Sequence, residues 1–538
     1  MHTTTIGASY DDVRNNFKWD LPTTFNFGRD VVDATAHDDD RLALLWTSDK
    51  APERRFNFSD ISIGSDQIAH VLRRAGVKKG DRIIVQLPRI PEWHLTMTAC
   101  TKIGAIAIPC IEMLTANDLE YRVAHSGAVA VVTTADNVVK YDQCDTLRVK
   151  CCFGTVDGWL NLHEESVRES GAFECADMGI DDAALMYYTS GTSGSPKGVL
   201  HASRALFAWR NSAIYWQGIG PGDLNWCTAD TGWSKAGTGV IFAPWGAGSA
   251  VLFHDGAFDP HRRLDIIQNH RVTAFCAAAT EFRHIVQLDL TRYDLSSLKR
   301  CVSAGETVNP ELVTRWKQAT GVDLLDGYGQ TETLMTIVNS DGLSVLPGSM
   351  GKPIPGTRFE ILDHDGGKLA ADEIGNIAMQ LPSPQFTLGY WNDPGKTQEN
   401  ILSSDGVDYW LTGDMGYRDR DGYFFYTGRN DDVISSSGYR IGPTEVENAL
   451  NTHAAVLEAA AVGKPDAERG EIVKAFVVLR PGFAADATMI KSLQDHVKNV
   501  TAPYKYPREI EFLTDLPKTA SGKILRRALR EVDRQRKS

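Results

Sequence analysis

The residues best suited to chemistry lie in one short run, Tyr188-Thr189-Ser190-Gly191-Thr192-Ser193-Gly194-Ser195-Pro196-Lys197-Gly198. From Thr189 to Gly198 it holds five hydroxyl side chains, three glycines and one lysine. Glycines let backbone N–H groups turn toward an anion, hydroxyls donate hydrogen bonds to its oxygens, and lysine adds charge. The composition is that of a phosphate cradle, with Thr189 through Lys197 as its candidate residues. It is not a Walker A loop, whose G-x-x-x-x-G-K-[ST] spacing does not fit. A flexible linker would need neither the lysine nor ordered elements on both sides. Those elements must position the loop. The apolar stretch Ala183 to Tyr188 predicts a strand leading in, and Ala202 to Trp209 predicts a helix leading out.

Further segments carry donors, acceptors and charge. Asp326-Gly327-Tyr328-Gly329-Gln330-Thr331-Glu332-Thr333 follows a strand-like step, Val322 to Leu325. It offers an aromatic face, amide and hydroxyl donors, and a carboxylate. Tyr409-Trp410-Leu411-Thr412-Gly413-Asp414 ends in an aspartate after a glycine, by itself a turn residue. Asp431 to Pro443 reads as a loop before a helix, and Gly438 within it permits close backbone approach. In Pro517-Lys518-Thr519-Ala520-Ser521-Gly522-Lys523-Ile524, the Ser-Gly pair gives a mobile loop able to carry a cation to a distant site. Ser303-Ala304-Gly305-Glu306 reads equally as a helix-capping turn. Trp233, on the Gly-rich turn after Trp226, serves either core packing or a pocket wall.

These motifs resemble those of the ATP-dependent adenylate-forming enzymes: acyl-CoA synthetases, adenylation domains of peptide synthetases, and luciferases. Across nearly the whole chain they are most similar to the medium-chain acyl-CoA synthetases. The resemblance implies that Tyr328 stacks on adenine, Thr331 contacts the α-phosphate and Glu332 helps hold Mg²⁺, with Asp326, Gly327, Gly329 and Gln330 in the same nucleotide site. It places Gly305 and Glu306 along the adenine and acyl sites, Asp414 on both ribose hydroxyls, and Arg429 on ribose and phosphate. Asp431 matches the hinge. Ser437, Gly438 and Tyr439 match the loop along the pantetheine of coenzyme A, with Arg440 beside them. Arg469 and Lys505 match positions near the coenzyme A nucleotide. Lys523 matches the lysine that reaches the α-phosphate and acyl carboxylate. Lys523, Thr331 and Glu332 form the implied catalytic set.

The implied activity is an ATP-dependent carboxylic acid:CoA ligase using ATP, Mg²⁺ and coenzyme A. An acid attacks the α-phosphorus to give acyl-AMP and pyrophosphate, then the coenzyme A thiol displaces AMP. Rotation about Asp431 would exchange Lys523 for the Ser437–Tyr439 loop between the two steps. Acylation of Lys523 would remove its charge and switch the first step off. Trp233 and Gly329 match the acyl pocket. Acetate-specific relatives carry tryptophan at the position of Gly329, so glycine implies room for medium-length, branched or aromatic acids. Lys235 could meet a polar substituent. Two other readings remain: an enzyme loading a carrier protein, and a nucleotide-binding regulatory protein without turnover. The preferred acid and the oligomeric state are not fixed by sequence.

Composition sets the frame. A chain of 538 residues exceeds one simple core, so two or more domains are expected. Hydrophobic content of 42% and charged content of 23% are ordinary for a globular chain. A net charge of −13 argues against nucleic acid as a partner. Nine scattered cysteines without a C-x-x-C read as reduced, giving an expected cytoplasmic location. No H-E-x-x-H or Cys/His cluster suggests zinc. The start carries Asp11 and Asp12 and lacks a secretory signal. The apolar region Val240 to Phe253 is broken by Pro244, Gly246 and Gly248 and is too short to span a bilayer.

Strand-like runs at 82–87, 128–133, 250–253 and 273–278 alternate with helical ones, which predicts an α/β fold with mostly parallel layered sheets. Asp419 to Tyr423 predicts a hairpin turn. A boundary after it divides a large domain, 1–430, from a small mobile α+β domain, 431–538. The latter is expected to carry helices at 443–451 and 488–500 and strands at 456–462, 472–479 and 509–513.

Overall fold

Runs such as Ala43-Leu44-Leu45-Trp46 and Ile83-Ile84-Val85 are buried along their whole length, as strands covered on both faces must be. The computed structural model describes residues 9–189, 195–306, 308–340, 342–430, 432–436, 439–466, 469–518 and 524–535. Two large sheets dominate. The nine-stranded one has six parallel strands at its centre, in the order Leu324–Gln330, Arg300–Ala304, Ala274–Cys276, Leu224–Cys227, Ala250–Asp255 and Leu42–Ser48, with antiparallel strands at both edges. The eight-stranded sheet is parallel from Ala183–Thr189 through Ile106–Pro109 and Arg82–Val85 to Leu160–Asn161. A third, antiparallel sheet contains Val407–Arg418 and Phe424–Arg429, joined by the expected turn at 419–423.

One sequence expectation changes. Between the phosphate loop and its helix the structure inserts a strand, Lys197–Ala202, antiparallel to Ala183–Thr189 with Thr189 opposite Lys197. The helix begins only at Ser203. Val199, His201 and Ala202 are buried in this strand, so the loop joins two strands rather than a strand and a helix.

Residues after 432 build a separate sheet in the order Tyr439–Ile441, Ile434–Ser436, Gly470–Leu479, Val456–Asp466, with Glu509–Phe512 parallel to Gly470–Leu479. The helix Pro443–Asn451 opens on proline, whose fixed φ and missing N–H suit a first turn. Leu450, Leu493 and Val497 bury this helix and Ala487–Val500 against the sheet. Arg283, on the helix Ala279–Ile285, reaches Glu458 of this unit at 3.7 Å, and Lys518 holds the same carboxylate at 2.8 Å.

The N-terminal layers contain a buried ion cluster that no motif announces. Lys102, fully buried on the helix Pro91–Ile103, sits 2.6 Å from Asp33 and 2.5 Å from Asp66. Each carboxylate comes from a different helical segment, so the ammonium ties three elements together.

Candidate nucleotide and acyl site

The C-terminal ends of the parallel strands gather the motifs, as open α/β sheets generally do. Leu324–Gln330 carries the second motif beside Arg300–Ala304, with Ser303 opposite Asp326 and Ala304 opposite Gly327. Asp414 lies on the neighbouring antiparallel sheet and is 5% exposed. Three donors converge on it. Tyr328 donates its hydroxyl to Oδ2 at 2.5 Å, Gln330 donates Nε2 to the same oxygen at 2.8 Å, and Arg429 donates Nη1 to Oδ1 at 3.3 Å. Gln330 also donates to the Thr412 carbonyl at 2.7 Å. A carboxylate accepts about four hydrogen bonds, so this one is nearly saturated. The cluster joins residues more than eighty positions apart into one polar wall.

A second chain connects the phosphate loop to the same motif. The Lys197 ammonium lies 5.2 Å from the centre of the Tyr390 ring, within cation–π range. Tyr390 donates its hydroxyl to Glu332 Oε1 at 2.6 Å. Burial, then the Glu332 charge, push the Tyr390 phenol well above its ordinary range, so it remains a donor at neutral pH. Tyr390 was not among the sequence candidates. Its signal is slight, an aromatic in Gly389-Tyr390-Trp391 far downstream of both partners.

Thr331 Oγ1 lies 3.3 Å from Ser234 Oγ, at the start of the helix Ser234–Gly239. Trp233, half-buried, immediately precedes that helix. Gly305 has φ +95°, and a Cβ there would meet nothing within 4 Å, so its backbone borders open space. Glu306 is tied elsewhere. It accepts from the Thr280 N–H at 2.7 Å, the Thr280 hydroxyl at 3.1 Å and Arg283 at 3.4 Å. Asp326 is pushed up to about 8 by burial, against opposing hydrogen bonds from the Gly327 and Val308 backbones and the Lys235 charge. It therefore holds its proton at neutral pH.

Gly329 also has a backbone reason to be glycine. A Cβ there would lie 1.8 Å from the Leu334 carbonyl oxygen and 2.5 Å from its carbon. The strands Leu324–Gln330 and Leu334–Val338 approach closely at a register shift between Tyr328 and Gly329. The absent side chain permits that approach.

Ser190 through Gly194, Asp431, Ser437, Gly438 and Lys523 lie outside the described residues. Ser195 and Pro196 end the loop, and Tyr121 donates to the Pro196 carbonyl at 2.9 Å. Tyr439 and Arg440 pair through their backbones with Ser436 and Ser435. Lys505 forms an ion pair with Glu445. The Arg469 N–H donates to Asp466 at 3.0 Å. Neither cation is drawn into the Asp414 cluster.

Two cysteines without a place in the motifs meet beneath the site. Cys227 and Cys276 are register partners on adjacent parallel strands. Cys227 is drawn down to about 7, chiefly by a hydrogen bond with Cys276 and also by the Lys235 charge, while Cys276 is driven up. A cavity of about 520 Å³ lined by Arg14, Phe17, Trp19, Arg358 and Pro382 shares no residue with the motifs.

Tyr328, Gln330, Asp414 and Arg429 thus form one polar wall, with Lys197, Tyr390 and Glu332 linked beside it. The chain belongs to the AMP-binding enzyme family, whose match spans residues 32–391, and a match to the AMP-binding enzyme C-terminal domain spans 445–523. Within it the chain is an acyl-CoA synthetase, an AMP-forming acid–thiol ligase that binds ATP. It is 40% identical over 547 residues to the Mus musculus acyl-coenzyme A synthetase ACSM3, mitochondrial, covering 98% of this chain and 93% of that protein. Among solved structures, an anthranilate CoA ligase in complex with anthranoyl-AMP superposes with TM-score 0.88 at 30% identity, covering 96% of this chain and 98% of that one. A Brucella canis acyl-CoA synthetase superposes with TM-score 0.76 at 33% identity, covering 98% and 100%.

The expected cytoplasmic location is corrected by these relatives, whose names place them in mitochondria. Reduced, unpaired cysteines were its main support, and they do not separate one reducing compartment from another. No helix among the described residues is long and apolar enough to cross a membrane.

Proposed function

We propose that this synthetase activates carboxylic acids longer than acetate, through an acyl-adenylate formed against the wall of Tyr328, Gln330, Asp414 and Arg429. The convergence of three donors on the nearly buried Asp414 carries the reading. The ribose hydroxyls would bind by exchanging with the Tyr328 and Gln330 donors on Asp414. Lys197, Thr331 and the loop hydroxyls would lie along the phosphates, where charge builds during transfer. Coenzyme A would then attack the adenylate carbonyl with its thiol and release AMP.

Glu332 is the candidate Mg²⁺ ligand. One of its oxygens is oriented by Tyr390. One carboxylate together with phosphate oxygens is a donor set that suits Mg²⁺. When bound, Mg²⁺ would supply electrostatic relief for the phosphoryl oxygens. We place residues 431–538 as a second unit that carries Lys523 to the adenylation site and the 437–440 loop and Arg469 toward coenzyme A. Acylation of Lys523 would then silence adenylation selectively. The anthranilate CoA ligase among the structural relatives supports acids with an aromatic body.

The test is AMP release by purified protein over a panel of acids from two to ten carbons, with and without coenzyme A, with acyl-CoA identified by mass. Acetate as the best substrate would overturn the chain-length reading. Product formed only on a carrier protein's pantetheine would replace free coenzyme A as acceptor.

A further inference from the structure

We propose that Tyr121 and His125, on a helix that no motif includes, are positioning residues for adenylation: they hold both ends of the phosphate loop. This rests on the reading of Thr189 through Lys197 as that loop.

The helix is Ala116–Ser126. Thr115 and Asp118 form a capping box at its start, and Gly127, at φ +63°, ends it, so local sequence sets both of its limits. Leu119 and Val123 are buried among Ile84, Ile106 and Val131 of the eight-stranded sheet. Residues four apart share a helix face. Tyr121 and His125 are such a pair on another face, and their rings stack with centroids 5.3 Å apart.

That face meets the loop at both ends. Tyr188, where the entering strand reaches the loop, places its hydroxyl 2.8 Å from His125 Nδ1. Pro196, where the chain leaves the loop, accepts at its carbonyl from the Tyr121 hydroxyl at 2.9 Å. Pairing of Thr189 with Lys197 sets the width of the loop's mouth. Proline has no N–H to extend such a ladder, and the Tyr121 hydroxyl holds the chain there instead. Burial pushes the Tyr188 phenol up and the His125 imidazole down, so their contact joins two neutral groups at pH 7.

The same helix reaches the segment that orients Glu332. The His125 carbonyl accepts from Trp391 Nε1 at 3.2 Å and from Asn392 Nδ2 at 3.3 Å, and the adjacent Tyr390 donates to Glu332. A run of glycines and hydroxyls loses much backbone freedom when it is ordered around phosphates. Donors already aimed when the nucleotide arrives stabilise developing charge without reorganising. Side-chain anchors at both ends of the loop, on the element that also ties down the Glu332 donor, supply that order in advance.

The experiment uses the full-length protein as wild type, Tyr121→Phe, His125→Leu, His125→Asn and Lys197→Ala. Acid-dependent exchange of pyrophosphate into ATP reads adenylation. Coenzyme A added to supplied acyl-adenylate reads thioester formation, and thermal unfolding is the control for the fold. Tyr121→Phe and His125→Leu should each lower kcat/KM for ATP in the exchange by about three- to tenfold, the range of one hydrogen bond. Thioester formation should stay within twofold of wild type. His125→Asn, which keeps a polar atom near the position of Nδ1, should recover most of the loss seen in His125→Leu. Exchange within twofold of wild type in both Tyr121→Phe and His125→Leu overturns the proposal. So do equal losses in the two half-reactions, which mark a structural role, or a His125→Asn no better than His125→Leu. If His125→Leu fails to fold, Tyr121→Phe, which removes one oxygen atom, decides. Lys197→Ala separates this proposal from the reading beneath it. If it impairs exchange while Tyr121→Phe and His125→Leu do not, the positioning role alone fails. If it leaves exchange at the wild-type level, the phosphate-loop reading fails as well.

Discussion

Replacing Asp414 with asparagine probes the nucleotide wall with almost no change of volume. An amide has one acceptor atom where the carboxylate has two, so one face of residue 414 becomes a donor. The favoured orientation keeps oxygen toward Tyr328 and Gln330, whose contacts are the shorter ones at 2.5 and 2.8 Å. The amide NH₂ then faces Arg429, now 3.3 Å from Oδ1. Two hydrogen bonds fall from charged to neutral acceptor strength, about 1 kcal/mol each. Losing the Arg429 pair adds about 0.5 kcal/mol, because that arginine is 34% exposed and screened by solvent. The fold should therefore weaken by ~2–3 kcal/mol. The effect on ATP is separate. Losing one charge-assisted bond to ribose costs about 1.5–3 kcal/mol, or roughly 10- to 150-fold in kcat/KM for ATP. Continuous pyrophosphate release at saturating acid and coenzyme A measures it, with 2′-deoxy-ATP as comparison. The variant should lose most of the discrimination between ATP and 2′-deoxy-ATP. If its kcat/KM for ATP stays within twofold of wild type, or discrimination is unchanged, Asp414 does not read the ribose.

Lys102→Met should cost about 3 kcal/mol of stability, because the buried Asp66 would lose its cation, while the partly exposed Asp33 can turn to water. Urea unfolding measures this, and a loss below about 1 kcal/mol would mean the carboxylates find water instead. Tyr390→Phe removes the donor to Glu332, worth about 1.5–3 kcal/mol to a charged acceptor. It should raise the Mg²⁺ concentration needed for half-maximal adenylation and spare the KM for coenzyme A, and an unchanged Mg²⁺ titration would contradict the assignment of Glu332. Asp326 titrates near 8 in the folded chain against an ordinary 3.8. Its folded value lies above its unfolded one, so its contribution is complete below about pH 4 and is lost as pH rises through 8. The stability of Asp326→Asn relative to wild type should then grow by up to ~1.4 kcal/mol per pH unit across that window. A difference that stays flat from pH 5 to 8 would show that Asp326 is already ionised.

The motifs were legible because each concentrates its chemistry within about ten residues: hydroxyls with a lysine at 189–197, an aromatic with a carboxylate at 326–333. The small α+β unit was legible for a related reason. Its helices start where a proline or a capping aspartate says they should, at Pro443 and after Asp486. What the sequence could not give was partnership over distance. Tyr328 and Asp414 are 86 positions apart, and Tyr390 and Glu332 are 58 apart. Nothing in either local segment specifies the other. The strand Lys197–Ala202 was missed because a short apolar run next to a helix has no period of its own. The backbone role of Gly329 was not legible, because an absent side chain looks the same in sequence whether it opens a pocket or lets two strands approach.

The geometry also limits how such a site can bind tightly. Asp414 is held by Tyr328, Gln330 and Arg429, Glu332 by Tyr390, Glu306 by Thr280 and Arg283, and Lys505 by Glu445. A nucleotide exchanges these bonds for its own instead of adding new ones, so each contact contributes the modest net value of an exchanged hydrogen bond, about 0.5–1.5 kcal/mol. Selectivity for the nucleotide must then come from satisfying all of the exchanged groups at once. The nucleotide wall is the same whichever acid is activated, so choice among acids must fall to groups outside it.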